Sequence, residues 1–354
     1  MKPTTPPRKR LLVDFPTWLG DGVMATALIP DLRRAFPRSN WEITASVPRP
    51  LRPLFCPLDG IDRWLGRPTT PGLAGIRAQA RLYRLGRFDT VILLPNSFRS
   101  AAAARLACIP KRIGYARDGR GWLLNRRVKP RKNKAGGWLP EPAVDYYLRL
   151  VRETQQLPDH PIPPMRLKIT PQQHRETAER LAELGINAGQ QLILLNPGAS
   201  KPAKRWPAER YARLANRLAS STGSVIAVTG SPAEKPILSE VVAKARTHVV
   251  NLAEAGWPIR LLKAVIARAS LLVTNDTGPR HVAAAVITPV VTLFGPTGPE
   301  WTLIPFKHDH HVIAPDRIQT AIEPYPTFTS GTMEAITVEQ VAETALRVFK
   351  SAGI

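Results

Sequence analysis

Two short polar turns in the second half of the chain carry residue types that bind phosphates and sugars. Residues 271–300 are predicted to form an apolar strand, an NDTG turn at 275–278, an alanine-rich helix and a second strand that ends in the GPTG turn at 295–298. This order is typical of a parallel α/β sheet, in which ligands bind beyond the carboxyl ends of the strands. The backbone N–H groups at the start of the helix, with Thr277 and Gly278, are therefore predicted to bind a phosphate or a sugar oxygen.

The charged residues beside these turns indicate which part of a ligand each would contact. The Asp276 carboxylate would repel a phosphate, so its expected partner is a hydroxyl-rich sugar. His281 follows about one helical turn later, where it is either a ligand of the same group or an ordinary structural histidine. Lys204 follows a second strand-end turn, NPGAS at 196–200, and together with Ser200 it could hold a diphosphate. The alternative is a polar loop that leads into the next helix.

Two acidic residues at strand ends have both a functional and a structural interpretation. Glu234, in the GSPAE segment at 230–234, could accept hydrogen bonds from a ribose or an amine, or could cap a helix. Asp21 lies between two glycines at a strand-to-helix turn, where a carboxylate can act as a general base. The helix N-terminus favours the ionised form, which keeps Asp21 available but makes it a weak base. Asp21 could equally be the N-cap of a helix predicted over residues 23–36.

The order of the predicted elements divides the chain into two α/β domains joined by a proline-dense segment. We assign residues 1–160 to an N-terminal Rossmann-like domain, 161–171 to a linker and 172–336 to a C-terminal Rossmann-like domain. A final helix within 337–354 could pack back on the N-terminal domain. Two such domains joined by a hinge favour an enzyme with its active site in the cleft between them.

Basic residues are concentrated in the first half of the chain. The protein has 354 residues and a formal net charge of +23. Residues 1–170 hold 31 Lys and Arg against 12 Asp and Glu, a net of +19, and the other 19 basic and 15 acidic residues give +4. Ten of the basic residues lie in the segment 111–134, with a single acid, Asp118. Such a field attracts nucleic acid, an anionic membrane or a phosphorylated substrate; the alternative is a solvated basic face.

The remaining composition disfavours several other classes of protein. Two cysteines, Cys56 and Cys108, are too few for a disulfide framework or a zinc site and are typical of a reducing compartment. We expect no secretion signal, and the longest charge-free apolar run, 282–294, is shorter than the ~20 residues of a membrane-spanning helix. A cytoplasmic protein that meets a membrane only at its surface is expected. No GxGxxG segment follows the first strand, which disfavours a nicotinamide dehydrogenase.

Seven short segments form one recognisable pattern along residues 11 to about 300. The most specific are NPGASKPAKRWP at 196–207 and NDTGPRHVAAA at 275–285. The others are TWLGD at 17–21, LPNSFRS at 94–100, IPKRIGY at 109–115, GSPAE at 230–234 and LFGPTGP at 293–299. In sequence and order these segments resemble the heptosyltransferases of lipopolysaccharide core synthesis, glycosyltransferase family 9.

This resemblance implies a GT-B fold, in which two Rossmann-like parallel-sheet domains face a cleft, and a reaction that requires neither a metal nor a cofactor. It implies inverting transfer of a heptose from ADP-L-glycero-β-D-manno-heptose to the inner core of lipopolysaccharide. Asp21 matches the position of the family's catalytic base. The residues implied for the donor phosphates and nucleotide are Lys204, Ser200, Glu234, Thr277 and Gly278. Those implied for the donor sugar are Asp276 and His281.

The same resemblance places the acceptor on the N-terminal domain, which agrees with the basic first half. A phosphorylated lipid A–Kdo acceptor is polyanionic, and the protein is expected to bind peripherally at the inner leaflet of the inner membrane. The predicted acceptor-binding residues are Asn96, Arg99, Lys111, Arg112 and Arg120. Arg280 stands where family members often have Met or Leu, and it is expected to add a cation beside the donor site.

Two other functions are consistent with the sequence. One is a family 9 transferase that uses a different nucleotide sugar or acceptor. The other is a non-catalytic polyanion-binding protein that acts through the segment 111–134. No RNA- or DNA-reading motif supports the second alternative, and the basic segment lacks an interleaved series of aromatic residues. We therefore expect no nucleic-acid partner.

Overall fold

Two six-stranded parallel sheets, one in each half of the chain, organise the structure. The computed structural model describes residues 8–132, 139, 141–299, 302–315, 319–320, 327–328 and 331–351. The chain divides into two units, Met1–Met165 and Arg166–Ile354, and each contains one of the sheets. The division falls inside the predicted linker. The prediction of an α/β protein with two Rossmann-like parallel sheets is confirmed.

The first unit consists of one parallel sheet and the helices that connect its strands. The strands are β1 Lys9–Asp14, β2 Trp41–Pro48, β3 Arg63–Arg67, β4 Thr90–Leu93, β5 Lys111–Tyr115 and β6 Arg126–Val128. The helices are α1 Leu19–Met24, α2 Ile29–Ala35, α3 Arg52–Phe55, α4 Gly72–Gly86, α5 Phe98–Leu106 and α6 Ala143–Gln155. The strand order is β3-β2-β1-β4-β5-β6. From β1 the chain builds the sheet first towards β3 on one side and then, from β4, towards β6 on the other. Open parallel sheets of this kind bind ligands beside the carboxyl ends of the two strands where the order reverses, here β1 and β4.

The second unit repeats this arrangement. Its sheet contains β7 Leu192–Asn196, β8 Val225–Val228, β9 Val249–Asn251, β10 Leu271–Asn275, β11 Val290–Phe294 and β12 Asp309–Ile313. A separate antiparallel pair is formed by β13 Gln319–Thr320 and β14 Thr327–Phe328. The helices are α7 Pro171–Glu183, α8 Ala208–Thr222, α9 Lys235–Lys244, α10 Ile259–Arg268, α11 Gly278–Ala285 and α12 Val338–Ser351. The order β9-β8-β7-β10-β11-β12 changes direction between β7 and β10.

Local sequence explains where the helices of the second unit begin and end. Thr170 accepts a hydrogen bond from the Gln173 backbone, and the Gln173 side chain accepts one from the Thr170 N–H, so that a capping box starts α7. Pro171 occupies the first position of this helix, where no backbone donor is needed. Helix α8 stops at Gly223, whose φ of +68° suits glycine. These local signals determine where α7, before β7, begins and where α8, after β7, ends.

The core of the second unit includes the C-terminal helix. Buried residues of α12, among them Val341, Ala345 and Phe349, belong to the same apolar cluster as Leu195 and Val273. The prediction placed this helix as an element that could pack on the first domain. The apolar face of α12 is buried in the core of the second unit, and packing of this helix on the first domain stays a prediction; residues 352–354 lie outside the described residues.

One segment of the first unit differs from its predicted form. Residues 23–36 are not one helix: α1 begins earlier, at Leu19, and the 3₁₀ turn Ala25–Leu28 separates it from α2. Pro30 lies near the start of α2, and its missing N–H disfavours one continuous helix through this point. The basic segment 111–134 contains β5 and β6, and its last residue, Lys134, lies outside the described residues.

No helix in the described part of the chain has the length and apolar character needed to cross a membrane.

Candidate functional site

Two asparagines join the turns that follow β7 and β10. The strands are adjacent, with Asn196 in register with Thr274. The Asn196 side-chain amide donates to the hydroxyls of Thr274 and Thr277, at 3.0 and 3.2 Å. In return, Asn275 Nδ2 donates to the carbonyl of Pro197 at 2.9 Å. Neither asparagine was predicted as a site residue, although a polar residue at the end of a buried strand is the signal that could have identified them.

Lys204 and Asp276 meet across these two turns. Lys204 Nζ lies 3.1 Å from Asp276 Oδ2, and the lysine side chain is 22% exposed while that of the aspartate is 5% exposed. The 3₁₀ turn Pro202–Lys204 presents the lysine, and the last residues of β10 lead directly to the aspartate. The structure therefore brings together two residues that are 72 positions apart in the sequence.

Asp276 is held by four donors. Besides Lys204, the Thr297 hydroxyl lies 3.1 Å from Oδ2, and Oδ1 receives Arg280 Nη1 at 3.2 Å and the Thr302 hydroxyl at 3.5 Å. Burial alone would raise the pKa of the Asp276 carboxyl, but the two cations outweigh it, and the pKa lies below its usual value. Asp276 is therefore an anion at neutral pH, and its ion pair holds the Lys204 ammonium beside the two turns.

Arg280 is buried and does not add a free cation beside the donor turns. Its side chain is 0% exposed, and its guanidinium bonds Asp309 Oδ2 through Nε at 3.0 Å and Nη2 at 2.6 Å. It also lies 5.0 Å from the ring centre of Phe294, a cation–π contact. The predicted cation therefore does lie beside Asp276, and Asp276 and Asp309 both compensate its charge. The sequence could not show this pairing, since Asp309 is 29 positions away.

We expect Arg280→Met to lower the free energy of unfolding by about 3–5 kcal/mol, because it leaves Asp309 buried without its guanidinium partner. The double variant Arg280→Met/Asp309→Asn removes both charges and should recover most of that loss. Urea unfolding of the two variants and the wild type measures the difference. Equal destabilisation of the single and double variants would contradict the assignment of this pair.

His281 is a buried, neutral imidazole. Its residue is 4% exposed, and Nδ1 has no hydrogen-bond partner in the structure. Burial, reinforced by the charge of Arg280, lowers its pKa to about 3. A neutral ring cannot act as a cation towards phosphate, but it can donate one hydrogen bond and accept another. The prediction that His281 contacts the donor sugar needs no positive charge and stays a prediction.

The lowered pKa of His281 makes the folded protein sensitive to acid. Between pH 6.5 and 3 the unfolded chain binds a proton at this histidine and the folded chain does not, so stability falls as the pH falls. Lowering the pH from 7 to 5 should cost the wild type about 2 kcal/mol more than it costs His281→Gln. Urea titrations at both pH values measure this difference. The same loss in both proteins would show that His281 is protonated when folded.

The other predicted donor residues surround the same turns. Glu234 Oε2 accepts hydrogen bonds from the backbone and the hydroxyl of Ser231, both at 2.7 Å, so its capping interpretation is realised. The Glu234 carboxylate also lies against Gly198, where any Cβ would overlap it. Ser200 is exposed, whereas Thr277 and Gly278 are half-buried at the start of α11. Thr277 is the residue that precedes this helix, and its side chain caps none of the helix N–H groups.

Asp21 lies in the first turn of a helix and is not an N-cap. Helix α1 begins at Leu19 after Trp18, so the interpretation of Asp21 as the cap of a helix over 23–36 is wrong. Asp21 is half-buried. The pKa of the Tyr147 hydroxyl is raised mainly by its own burial and further by the negative charge of Asp21. Gly22 allows close packing here, since a Cβ at this position would lie 2.8 Å from the Phe55 ring. The role of Asp21 as a base stays a prediction.

Three predicted acceptor residues are arginines that bind the protein's own carbonyl groups. Arg120 is fully buried and donates to the carbonyls of Pro95 and Ser97. Arg99 donates to the carbonyls of Thr70 and Pro68, at 2.6 and 2.8 Å. Arg112 donates to the carbonyls of Ile109 and Leu123, at 2.6 and 2.8 Å. Through these bonds the three arginines stabilise the loops around β4 and β5. A contact between these arginines and the acceptor stays a prediction.

The remaining predicted acceptor residues are polar and half-buried. Asn96 Oδ1 accepts hydrogen bonds from Arg120 Nη2 at 3.2 Å and from the Tyr146 hydroxyl at 3.1 Å, which leaves its amide hydrogens for another group. Lys111 is the first residue of β5. Its pKa is lowered mainly by burial and also by repulsion from the positive charge of Arg126. Burial also lowers the pKa of Arg120 to about 10, so that its guanidinium is charged at neutral pH.

In the described residues, no group of three or more His, Cys, Asp or Glu side chains could hold a metal ion.

Comparison with known proteins agrees with these motifs. The model of glycosyltransferase family 9 (heptosyltransferase) matches residues 76–323. The chain is 32% identical to lipooligosaccharide heptosyltransferase 2 of Haemophilus influenzae, over 82% of this chain and 85% of that protein. It is 31% identical to lipopolysaccharide heptosyltransferase 2 of Escherichia coli K12, over 86% and 87% of the two chains. The resemblance stated from the sequence is confirmed.

A solved structure shows the same fold. The structure of E. coli ADP-heptose lps heptosyltransferase II superposes with a TM-score of 0.79 and 26% sequence identity, covering 98% of this chain and 100% of that one. The predicted GT-B class is therefore confirmed.

Proposed function

Because this chain belongs to glycosyltransferase family 9, we propose that it transfers a heptose from ADP-L-glycero-β-D-manno-heptose to the inner core of lipopolysaccharide, as a heptosyltransferase II. One observation carries this assignment: Lys204 and Asp276 form an ion pair at the point where the second sheet changes strand order, next to the start of α11. That point of the sheet is suited to a nucleotide, and the helix start is suited to its phosphates.

The donor is proposed to bind by an exchange of partners at this ion pair. When the diphosphate arrives, the Lys204 ammonium moves from Asp276 Oδ2 to the phosphate oxygens, where its charge stabilises the departing ADP. Asp276 keeps Arg280 and Thr302 at Oδ1 and gains a free lone pair at Oδ2 for a sugar hydroxyl. The backbone of Thr277 and Gly278 supports the phosphates, while Ser200 and Glu234 lie on the nucleotide side.

The reaction is proposed to be a single displacement with inversion. An acceptor hydroxyl oxygen forms a bond to the anomeric carbon of the heptose while the bond from that carbon to the diphosphate oxygen breaks. The hydroxyl proton passes to Asp21, and the electron pair of the broken bond leaves with ADP. Because a first-turn aspartate is a weak base, it takes the proton late, as charge develops on the leaving group. No metal and no cofactor takes part.

The acceptor is proposed to be a phosphorylated lipid A–Kdo at the inner face of the inner membrane, with the protein bound there peripherally from the cytoplasm. Support comes from the net charge of +19 in residues 1–170, against +4 in the remainder. An anionic lipid surface and a phosphorylated sugar both attract such a charge. Asn96, whose amide is oriented by Arg120 and Tyr146, is the predicted acceptor residue with the clearest unused donor.

The donor can be tested with a panel of sugar nucleotides. Purified protein is incubated with a heptose-deficient lipopolysaccharide and, in turn, with ADP-, UDP- and GDP-linked sugars, and nucleotide release is followed. Acceptor-dependent release of ADP from the ADP-heptose alone is the expected result. Release from a different nucleotide sugar would assign another family 9 activity. Binding of the acceptor with no release from any donor would favour a non-catalytic polyanion-binding protein.

A further inference from the structure

A chain of paired charges runs from the donor turns through Arg280 towards the surface of the second unit. It starts at the ion pair of Lys204 and Asp276. Beyond Arg280, Asp309 Oδ2 lies 2.9 Å from His311 Nε2. The side chains of Arg280 and Asp309 are 0% and 4% exposed, whereas that of His311 is 24% exposed. His311 is therefore an end of this chain that solvent can reach.

Strand β12 and its neighbour hold Asp309 and His311 in fixed positions. The two residues are two places apart in β12, so their side chains lie on the same face of the sheet. The Thr292 hydroxyl, on the adjacent strand β11, donates to Asp309 Oδ1 at 2.8 Å. The ring of Phe294 meets the imidazole edge to face, with 4.9 Å between the ring centres. The pair is therefore preformed in the structure.

The proposed exchange of partners at Lys204 would leave this chain with an excess of negative charge. Before the exchange, the formal charges of its first four members sum to zero: Lys204, Asp276, Arg280 and Asp309. Once the ammonium binds the diphosphate, two carboxylates share the single guanidinium. Asp309 receives its Nε and Nη2, and Asp276 receives its Nη1. One uncompensated charge among buried groups costs free energy.

A proton on His311 compensates that charge. Its Nε2 lies 2.9 Å from Asp309 Oδ2 and 3.3 Å from Arg280 Nη2. In the neutral ring this nitrogen either donates to Asp309 or accepts from Arg280, and in the charged ring it only donates. The charged ring is then a second counter-ion of Asp309, and a larger share of the guanidinium charge is left for Asp276. Histidine is the side chain that most readily changes its charge near neutral pH.

In the part of the chain that the structure describes, His311 is better placed to take this proton than the histidines around it. His281, on α11, is buried, and its pKa of about 3 keeps it neutral. His310 points to the opposite face of β12, because successive side chains of a strand alternate. The pKa of His310 is lowered mainly by burial and also by the charges of His308 and of Arg347 on α12.

We propose that His311 is a positioning residue for the donor, which takes up a proton when the diphosphate draws Lys204 away from Asp276. The proton comes from solvent and binds to the unprotonated ring nitrogen, and no other covalent bond forms or breaks. The charged ring then pairs with Asp309, so that Arg280 stays the counter-ion of Asp276 while this carboxylate accepts from the donor sugar. The inference rests on the proposed function, in which Lys204 changes its partner.

Proton uptake on nucleotide binding tests this inference without requiring catalysis. ADP is titrated calorimetrically into the full chain at pH 7, in buffers that differ in their enthalpy of ionisation, which gives the number of protons bound per ADP. The wild type should take up at least about 0.2 proton more than His311→Gln, because a histidine that becomes charged near neutral pH gains a fraction of a proton there. Protonation of ADP itself is the same in both proteins and cancels in this difference. Glutamine keeps a neutral hydrogen-bond donor for Asp309.

The affinities of these two proteins for ADP should also depend on pH in different ways. A ligand whose binding takes up a proton binds more tightly as the pH falls. His311→Gln should therefore bind ADP about 3- to 10-fold more weakly than the wild type at pH 6 and with similar affinity at pH 8.5. A purely structural defect would weaken binding equally at both pH values and would contradict the inference.

Two further variants separate His311 from a general effect of mutation. His310→Gln removes the neighbouring histidine of β12 and should take up as many protons as the wild type. Asp309→Asn removes the carboxylate that pairs with the charged ring and should lose the uptake, and it decides the question if His311→Gln does not fold. The inference is overturned if His311→Gln and Asp309→Asn take up as many protons as the wild type, or if His310→Gln loses the uptake to the same extent.

Heptose transfer by the wild type judges the proposed function separately. Transfer without proton uptake that depends on His311 would refute this inference alone. Such uptake without transfer would refute the proposed function alone, and a wild type that binds no ADP would refute both.

Discussion

Replacing Asp21 by asparagine is expected to lower kcat for heptose transfer by about 10²- to 10⁴-fold, the usual contribution of a general base. Asparagine keeps the size of the side chain and its place in the first turn of α1 but cannot accept the acceptor proton. The affinity for ADP should be unchanged, because the nucleotide is bound by the second unit. Steady-state rates of ADP release, with ADP affinity from titration calorimetry, measure both quantities.

Asp118→Asn is the matched control for this variant. Asp118 is an exposed carboxylate of the same unit, with a side chain that is 55% exposed, and its left-handed backbone conformation (φ of 54°) suits asparagine. Its replacement should leave kcat within twofold of the wild type. If Asp21→Asn also retained the wild-type kcat, Asp21 would not be the base.

Replacing Lys204 by methionine is expected to lower kcat by about 10²- to 10³-fold, as does the loss of one group that stabilises a leaving anion. Affinity for ADP should also fall about 10- to 100-fold, because the diphosphate loses a charge-assisted partner. Methionine replaces the linear, unbranched part of the lysine side chain without its ammonium group, and Asp276 keeps Arg280 as its counter-ion. The fold should therefore tolerate the change.

Lys201 provides the control for Lys204. It is an exposed lysine in the same segment and three residues earlier in the chain. Lys201→Met should bind ADP with an affinity close to that of the wild type. Equal losses in the two variants would show that the general positive charge of the loop, and not the position of Lys204, attracts the nucleotide.

The local parts of the candidate site could be predicted from the sequence because strand ends and helix starts are encoded in short segments. The NDTG turn lies between β10 and α11, as its residues predict, and the NPGAS turn follows β7. These turns are joined by a hydrogen bond from the Asn275 side chain to the backbone carbonyl of Pro197, 78 residues away in the chain. No periodicity in either segment encodes that contact, because it depends on how the strands pair.

The charge pairs were the least predictable part of the site. Arg280 was expected to add a cation beside the donor site, and the sequence did not show that Asp309 and Asp276 compensate its charge within the second unit. Likewise, the arginines predicted to contact an acceptor bind backbone carbonyls, for example Arg99 to Thr70. A sequence shows which residue carries a charge but not which distant residue neutralises that charge in the folded protein. The ion pair between Asp14 and Arg67 of the first unit, 53 positions apart, was missed for the same reason.

The partner of an amphipathic helix is also undetermined by its own sequence. The pattern of α12 predicts one apolar face, and buried residues such as Val341 and Phe349 lie on it. The pattern does not specify which sheet covers that face. Here the core of the second unit does so.

The most direct test of the account is the mass of a heptose-deficient lipopolysaccharide after incubation with the purified chain and ADP-L-glycero-β-D-manno-heptose. The account predicts a product heavier by one heptose with the wild type and an unchanged acceptor with Asp21→Asn. An acceptor of unchanged mass after incubation with a wild-type protein that binds both ADP and the acceptor would contradict it.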